Sequence, residues 1–319
     1  MRAVVIDKCC KAEDLRVTDI PVPEVRPGWV LVKVHAAGLN HSEAILRQYE
    51  ADEDYINTPV VPGIECVGEI ADPSDSDFKK GERVVGLMGG MGRSFNGSYE
   101  EYVLLPVNHV FKVDLDLDWV ELAAIPESYF TAYGSMTQGL LLKKGDTLLV
   151  RGATSTVGQA AIQLAKAMGV TVIGTSRREA SFDKLFEIGA DYCVVDDGEI
   201  NRRKLQKQPN KVLELVGLKT LRDSMLTVSH PGFVCITGIL GNVFSYKNFS
   251  PIGFIPNGTF LSAFHSNFPT QKIMDEIFGI IKKNHIKPLY SKVFKLEDIV
   301  EAHKLLEEGT AGGKIIITL

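Results

Sequence analysis

The residues most able to do chemistry lie between 145 and 193. An apolar run, Leu148–Val150, leads into a turn of small residues, Gly152-x-x-Ser155-x-x-Gly158. A helical pattern follows, with Ala161, Leu164, Ala165 and Met168 at helical spacing, and then a second apolar run, Val170–Gly174. A strand–turn–helix–strand unit of this kind sets a helix N-terminus where a dinucleotide pyrophosphate can sit. The first-turn N–H groups lack intrahelical acceptors there, and the helix dipole is positive. Gly152, Ser155, Thr156, Val157 and Gly158 are the candidate phosphate-binding residues. The spacing departs from G-x-G-x-x-G, with Ser155 adding a Cβ where the backbone approaches phosphate. Its hydroxyl can donate a hydrogen bond to phosphate in return.

The end of the second strand speaks to the cofactor. Sites for NAD place Asp or Glu there to bind the ribose 2′-hydroxyl. Here the run ends Thr175-Ser176-Arg177-Arg178, and the first acid is Glu179. An acid repels a 2′-phosphate, whereas an arginine grips one through paired charge-assisted hydrogen bonds. NADPH is therefore the expected cofactor, held by Ser176, Arg177 and Arg178. The competing reading is that an arginine only caps or solvates the helix starting near Glu179.

The elements that must position these groups change character along the chain. The first third reads as antiparallel β, with short strands at Val30–Val34, Val67–Ile70, Arg83–Gly86 and Tyr102–Leu105 separated by Pro-Gly and Lys-Gly turns. A short helix begins near Ser42, capped by Ser42 or Asn40. From about residue 119, where Trp119–Ala124 and Tyr129–Gln138 look helical, strands and helices alternate. Strands are expected at 147–151, 170–175, 192–195, 211–216 and 232–237, with Phe260–Ala263 last. Such alternation implies a doubly wound parallel sheet. Helical spacing recurs over Pro269–Asn284 at Ile273, Ile277, Ile280 and Ile281. The C-terminal part returns to β character at Ser291–Phe294 and Lys314–Thr318, around a helix at Leu296–Glu308. The expected division is therefore 1–118 with 287–319, and 119–286.

The chain of 319 residues, 45% hydrophobic, is long enough for two domains. Its formal charge of −5 argues against a nucleic-acid partner. The cluster Arg202-Arg203-Lys204 lies near Asp196, Asp197 and Glu199 and reads as a solvated face. The cysteines, Cys9, Cys10, Cys66, Cys193 and Cys235, form no C-x-x-C pair and fit a reducing compartment. No apolar run is long enough for a membrane span, and the N-terminal residues carry no apolar signal core. A cytoplasmic protein without a membrane partner is expected.

Taken together the motifs resemble the medium-chain dehydrogenase/reductase superfamily, in its zinc-independent quinone oxidoreductase-like branch. They stand as Ala37-Gly38-Leu39-Asn40, Pro62-Gly63-Ile64-Glu65, Gly81-Glu82-Arg83-Val84, Gly97-Ser98-Tyr99-Glu100-Glu101-Tyr102, Ala123-Ala124-Ile125-Pro126, Thr131-Ala132-Tyr133, Ile188-Gly189-Ala190-Asp191-Tyr192 and Gly312-Gly313-Lys314-Ile315-Ile316, with the turn at 152–158 between them. Each is weak alone; their order and spacing are specific. The resemblance implies an α/β protein: a GroES-like, β-rich catalytic domain plus a Rossmann domain, with the active site in the cleft between them. It also implies that Thr131 lies near the nicotinamide, Tyr192 near the adenosine phosphate, and Gly238 and Ile239 along the cofactor.

Zinc enzymes of the superfamily bind metal at positions matching Asn40, Ile64 and Glu127. An amide is a poor zinc ligand and isoleucine is none, so no metal is expected. Among dispersed histidines, His41 beside Glu43 and Glu65 is the one cluster worth inspection. The substrate class implied by the resemblance is a quinone or an α,β-unsaturated carbonyl, reduced without a metal. Asn40 and Ser42 match the place of metal and proton relay, and become candidates to donate a hydrogen bond to the nascent oxygen. Asn40 would also touch the cofactor. Tyr49 is a further candidate proton donor. The plainer readings are helix capping for Asn40 and Ser42 and a surface tyrosine for Tyr49. The glycine-rich loop Leu87–Ser98 is either a mobile wall of the substrate site or a plain β-connection. Two other functions compete: a cofactor-binding protein with a regulatory or structural role, and a zinc alcohol dehydrogenase. Gly258–Ser262 reads as an edge strand that pairs across a two-fold axis in the family, so a homodimer is expected.

Overall fold

A computed structural model describes all residues, 1–319. It divides into two compact units, Met1–Glu127 with Asn267–Leu319, and Ser128–Ser266. No helix is long and apolar enough to cross a membrane.

The first unit holds β1 (Arg2–Val4), β2 (Val17–Asp19), β3 (Trp29–Leu39), β4 (Glu65–Asp72), β5 (Arg83–Leu87), β6 (Tyr102–Pro106) and β7 (Val110–Lys112). The short helix α1 (His41–Ile45) follows β3, and α2 (Trp119–Ala123) closes the N-terminal part. The second unit holds β8 (Thr147–Arg151), β9 (Thr171–Ser176), β10 (Tyr192–Val195), β11 (Lys211–Glu214), β12 (Gly232–Ile236) and β13 (Thr259–Ala263). Its helices are most of α3 (Pro126–Gly134), then α4 (Thr156–Ala167), α5 (Phe182–Glu187), α6 (Leu218–Thr227) and α7 (Pro251–Phe254). The chain then returns to the first unit with α8 (Gln271–Lys283), β14 (Tyr290–Lys295), α9 (Ile299–Glu308) and β15 (Lys314–Thr318).

In the first unit one sheet runs β14-β15-β3-β4-β5-β7, with β6 also pairing β3. All its pairs are antiparallel except β14 with β15. The strand β15 lies against β3, with Ile316 opposite Gly38 and Ile315 opposite Leu39. One core cluster joins Leu39, Tyr99, Ile315 and Ile317 to Leu296, Ile299 and Ala302 around α9.

The second unit is a six-stranded parallel sheet in the order β10-β9-β8-β11-β12-β13. In chain order this is 3-2-1-4-5-6, the doubly wound dinucleotide-binding arrangement. Every residue of β8 is buried, as a central parallel strand covered on both faces requires. The order reverses between β8 and β11, and ligands bind outside the carboxyl ends of strands at such a switch point.

The observed boundaries depart from those expected at 118/119 and 286/287. Two helices drawn into the α/β part by the alternation of the sequence pack instead on the β unit. Helix α2 packs on β3, β4 and β15. The first residue of α8, Gln271, accepts from Lys112 N (2.8 Å) and donates back to its carbonyl (3.1 Å), and Lys282 pairs with Asp114. The buried face of α8 is Met274, Ile277, Phe278 and Ile281, rotated from the isoleucine stripe read in the sequence.

Candidate active site

The turn after β8 is built by steric need. Gly152 has φ +84°. At Gly158 an added Cβ would lie 2.5 Å from the Gly152 carbonyl oxygen, so only glycine lets α4 pack this close. Ser155 is the N-cap of α4: its Oγ accepts from Gly158 N at 3.2 Å and donates to the Gly152 carbonyl at 2.8 Å. This corrects one expectation. The single Ser155 hydroxyl proton closes the turn on itself and is not presented to phosphate. The half-buried first-turn residues Thr156 and Val157 keep backbone N–H groups at the positive end of a twelve-residue helix.

At the end of β9, Ser176 is buried and accepts from Arg178 N at 3.1 Å, leaving its own proton to donate. Arg177 and Arg178 are exposed, and neither guanidinium forms an ion pair. Arg178 occupies the N-cap position of a 3₁₀ turn, Glu179–Ser181, without a side-chain cap bond. Its guanidinium therefore does no capping.

Tyr192 is not placed with this group. It is the first residue of β10, opposite Ile173, three rungs below Ser176 and packed into the lower core with Leu149 and Val212. At the strand end, one position past the pair of Val195 with Ser176, stands Asp196, whose N–H donates to the Ser176 carbonyl at 2.9 Å. Three rungs set the Tyr192 side chain roughly 10 Å along the strand from Ser176.

The ends of β11 and β12 meet backbone to backbone. A Cβ on Gly238 would lie 2.2 Å from the Leu215 carbonyl oxygen, and Gly217, at φ +94°, abuts the Gly238 carbonyl. Ile239 follows, half-buried. The Ser135 hydroxyl bonds both the Thr131 carbonyl (2.7 Å) and Thr237 Oγ1 (2.8 Å). Ser135 thus ties the helical turn that follows Thr131 to Thr237, the residue before Gly238 at the carboxyl side of the sheet.

In the β unit, Asn40 caps α1 and lies in a network that the sequence reading missed. Its Nδ2 donates to Glu65 Oε1 (2.8 Å) and lies 3.3 Å from the Gly38 carbonyl and 3.4 Å from Glu43 Oε1. Its Oδ1 accepts from Lys314 Nζ at 2.6 Å. Lys314 also pairs with Glu65, and Glu65 Oε2 accepts from Glu127 N at 2.8 Å. Glu43 accepts from Asn40 N (2.8 Å) and Ile64 N (3.2 Å). Glu43, Glu65 and Lys314 are all buried. Burial pushes the Glu43 carboxyl up to about 7, against the pull of Lys314 and the backbone donors. Gly38 has no side chain because these groups fill its space: a Cβ there would lie 2.3 Å from Lys314 Cε and 2.4 Å from Glu65 Oε1.

The network corrects the role expected of Asn40. Both amide protons and the carbonyl oxygen are spent inside the β unit, so Asn40 orients charges and does not donate to a substrate oxygen. Ser42 is half-buried, and its hydroxyl takes no partner within the chain. Tyr49 is 65% exposed and apart from the network. His41 is exposed, so it does not cluster with Glu43 and Glu65. Lys314 had one signal in the sequence, a lone cation opening the apolar run Ile315–Ile317.

Zinc does not fit these residues. At the three expected positions Asn40 is committed to Lys314 and Glu65, and Ile64 has no donor, which leaves Glu127 as the one side chain of the three able to ligate zinc. No three His, Cys, Asp or Glu side chains converge as a metal site anywhere. The loop Leu87–Ser98 is pinned to its own unit. Arg93 pairs with Glu50 (2.6 Å) and donates to the Ser42 carbonyl (3.2 Å), Met91 is buried, and Gly92 and Gly97 abut Gly63. These contacts favour the β-connection over the mobile wall.

Comparison with known proteins agrees with this geometry. Residues 26–115 match the family described as alcohol dehydrogenase GroES-like domain, and residues 188–317 the family described as zinc-binding dehydrogenase. Human quinone oxidoreductase is 31% identical over 335 aligned positions, covering 100% of this chain and 98% of that protein. The chain belongs to the medium-chain dehydrogenase/reductase superfamily, quinone oxidoreductase-like. The quinone oxidoreductase of Coxiella burnetii superposes with a TM-score of 0.87 at 25% identity, covering 100% and 99% of the two chains. The crystal structure of an NAD-dependent alcohol dehydrogenase does so with 0.87 at 28% identity, covering 100% of both. As a medium-chain dehydrogenase/reductase, the chain has a GroES-like β domain and a Rossmann domain. The match to a family named for zinc extends to this chain without the ligands that zinc requires.

Proposed function

We propose that this protein is an NADPH-dependent oxidoreductase that reduces a quinone or an α,β-unsaturated carbonyl without a metal. The observation that carries the reading is the end of β9, where two exposed arginines without ion-pair partners stand in place of the ribose-binding acid. The likeness to quinone oxidoreductases along the whole chain supports the substrate class. Bound NADPH would supply a hydride, and a quinone or enone can accept it because its own π-system delocalises the arriving charge. The chain's residues do the rest. Arg177, Ser176 and Arg178 bind the 2′-phosphate. The N–H groups of Thr156 and Val157, with the backbone at Gly152 and Gly158, take the pyrophosphate. Thr131, Gly238 and Ile239 line the remainder. Ser42 donates to the oxygen that gains charge, and Tyr49 remains a candidate proton donor. Asn40 holds the buried charges beneath α1.

Turnover with a panel of quinones, enones, ethanol and butanol tests this, before and after exhaustive chelation. Activity on the quinones or enones alone, unchanged by the chelator, is expected. Stoichiometric zinc whose removal abolishes turnover, or oxidation of simple alcohols without any quinone or enone reduction, would refute it.

The same reading assigns the protein to the cytoplasm, in keeping with five free cysteines. It also makes it a homodimer. The strand β13 is the outer strand of the parallel sheet and exposes Phe260, an edge that calls for cover. Sedimentation or light scattering at micromolar concentration is expected to give twice the chain mass. A monomer there would sink the assignment.

A further inference from the structure

The last residue of β8 is an arginine with no contact with solvent. The Arg151 side chain is 0% exposed, and its guanidinium is filled on every edge. Nε and Nη2 donate in parallel to the two oxygens of Asp196, each at 2.8 Å. Nη1 donates to Asp223 Oδ2 (2.6 Å), Ser224 Oγ (3.1 Å) and the Thr220 carbonyl (3.2 Å) on α6. Asp196 in turn accepts from Thr175 Oγ1 (3.3 Å) and Gly198 N (3.0 Å), and Thr175 Oγ1 accepts from Gly152 N (3.2 Å). The phosphate turn, the end of β9 and the end of β10 are thereby closed into one ring through Arg151.

Asp196 is the carboxylate beside Ser176, one position past its register partner Val195 and bonded through its N–H to the Ser176 carbonyl. An acid beside this strand end, left to itself, binds a ribose 2′-hydroxyl and repels a 2′-phosphate. Here a bidentate cation neutralises it and turns both its oxygens inward. We infer that Arg151 is a specificity-determining positioning residue: by masking Asp196 it lets the β9 end accept the 2′-phosphate of NADPH. The inference rests on the NADPH reading above, and Arg151 itself touches no cofactor.

Two double variants separate masking from scaffolding. R151M/D196N and R151M/D223N each remove one cation and one acid, so net charge is unchanged. Only the second leaves an unmasked acid beside Ser176. Dissociation constants for NADPH and NADH are read by titration, with the thermal midpoint of the unliganded protein as a check on folding. The expected result is that R151M/D196N keeps the wild-type NADPH-to-NADH preference within about threefold, while R151M/D223N loses it by about tenfold or more. Equal preference in both doubles would overturn the inference. If either double fails to fold, D196N alone decides. It keeps Arg151 and its bonds to α6, and its preference is expected to stay within about threefold of wild type. A collapse there would mean that Asp196 assists phosphate binding, and would overturn the inference equally. A wild type that prefers NADH would instead strike down the NADPH reading.

Discussion

Replacing Lys314 by Met is expected to cost the protein about 3–5 kcal/mol of stability, because it leaves buried carboxylates without their cation. Lys314 is 1% exposed and Glu65 0%, so no water can take the ammonium's place. Glu43 is buried beside them, linked through Asn40. The deficit should depend on pH, with a sign fixed by Glu43. Its folded carboxyl sits at about 7, above its ordinary 4.5. Ionisation is thus harder in the folded state, and stability is lost as pH rises from about 4.5 through about 7. Lys314 pulls that carboxyl down, so its removal extends the loss to higher pH. Urea denaturation at pH 5 and pH 8 reads both effects, with the larger deficit expected at pH 8. Adding Glu65→Gln to the Lys314→Met chain should recover part of it. A variant as stable as wild type, or a deficit identical at the two pH values, would contradict this account.

Arg177→Ala is expected to weaken NADPH binding about tenfold to a hundredfold, the loss of one charge-assisted pair worth roughly 1.5–3 kcal/mol. NADH has no 2′-phosphate, so its affinity should barely move. The guanidinium is exposed and bound to no other side chain, so its removal should leave folding unaffected. Titration of both cofactors against wild type and variant checks the expectation. Equal losses for the two cofactors would show that Arg177 acts on the shared pyrophosphate half instead.

Much of this protein was determined by sequence alone. The parallel strands at 147–151, 192–195 and 260–263 lie within about a residue of their expected places, because apolar runs bounded by turn residues are local signals. Gly152, Gly158 and the capping position of Asn40 were legible for the same reason. Their roles follow from backbone geometry and from the residues beside them. Side-chain direction and long-range partnership needed the tertiary structure. Asn40 was readable as a cap, but not as a residue spent on Lys314, which lies 274 positions away. Ser155 was readable in the turn, but not the inward set of its hydroxyl. Helices α2 and α8 were readable as helices, yet their partners across the β unit were not, and the domain boundaries moved with them. Arg151 and Asp196 carried no visible sign of pairing. A charge in a buried strand states only that some partner exists, and which one it is depends on how separate strands are set in register.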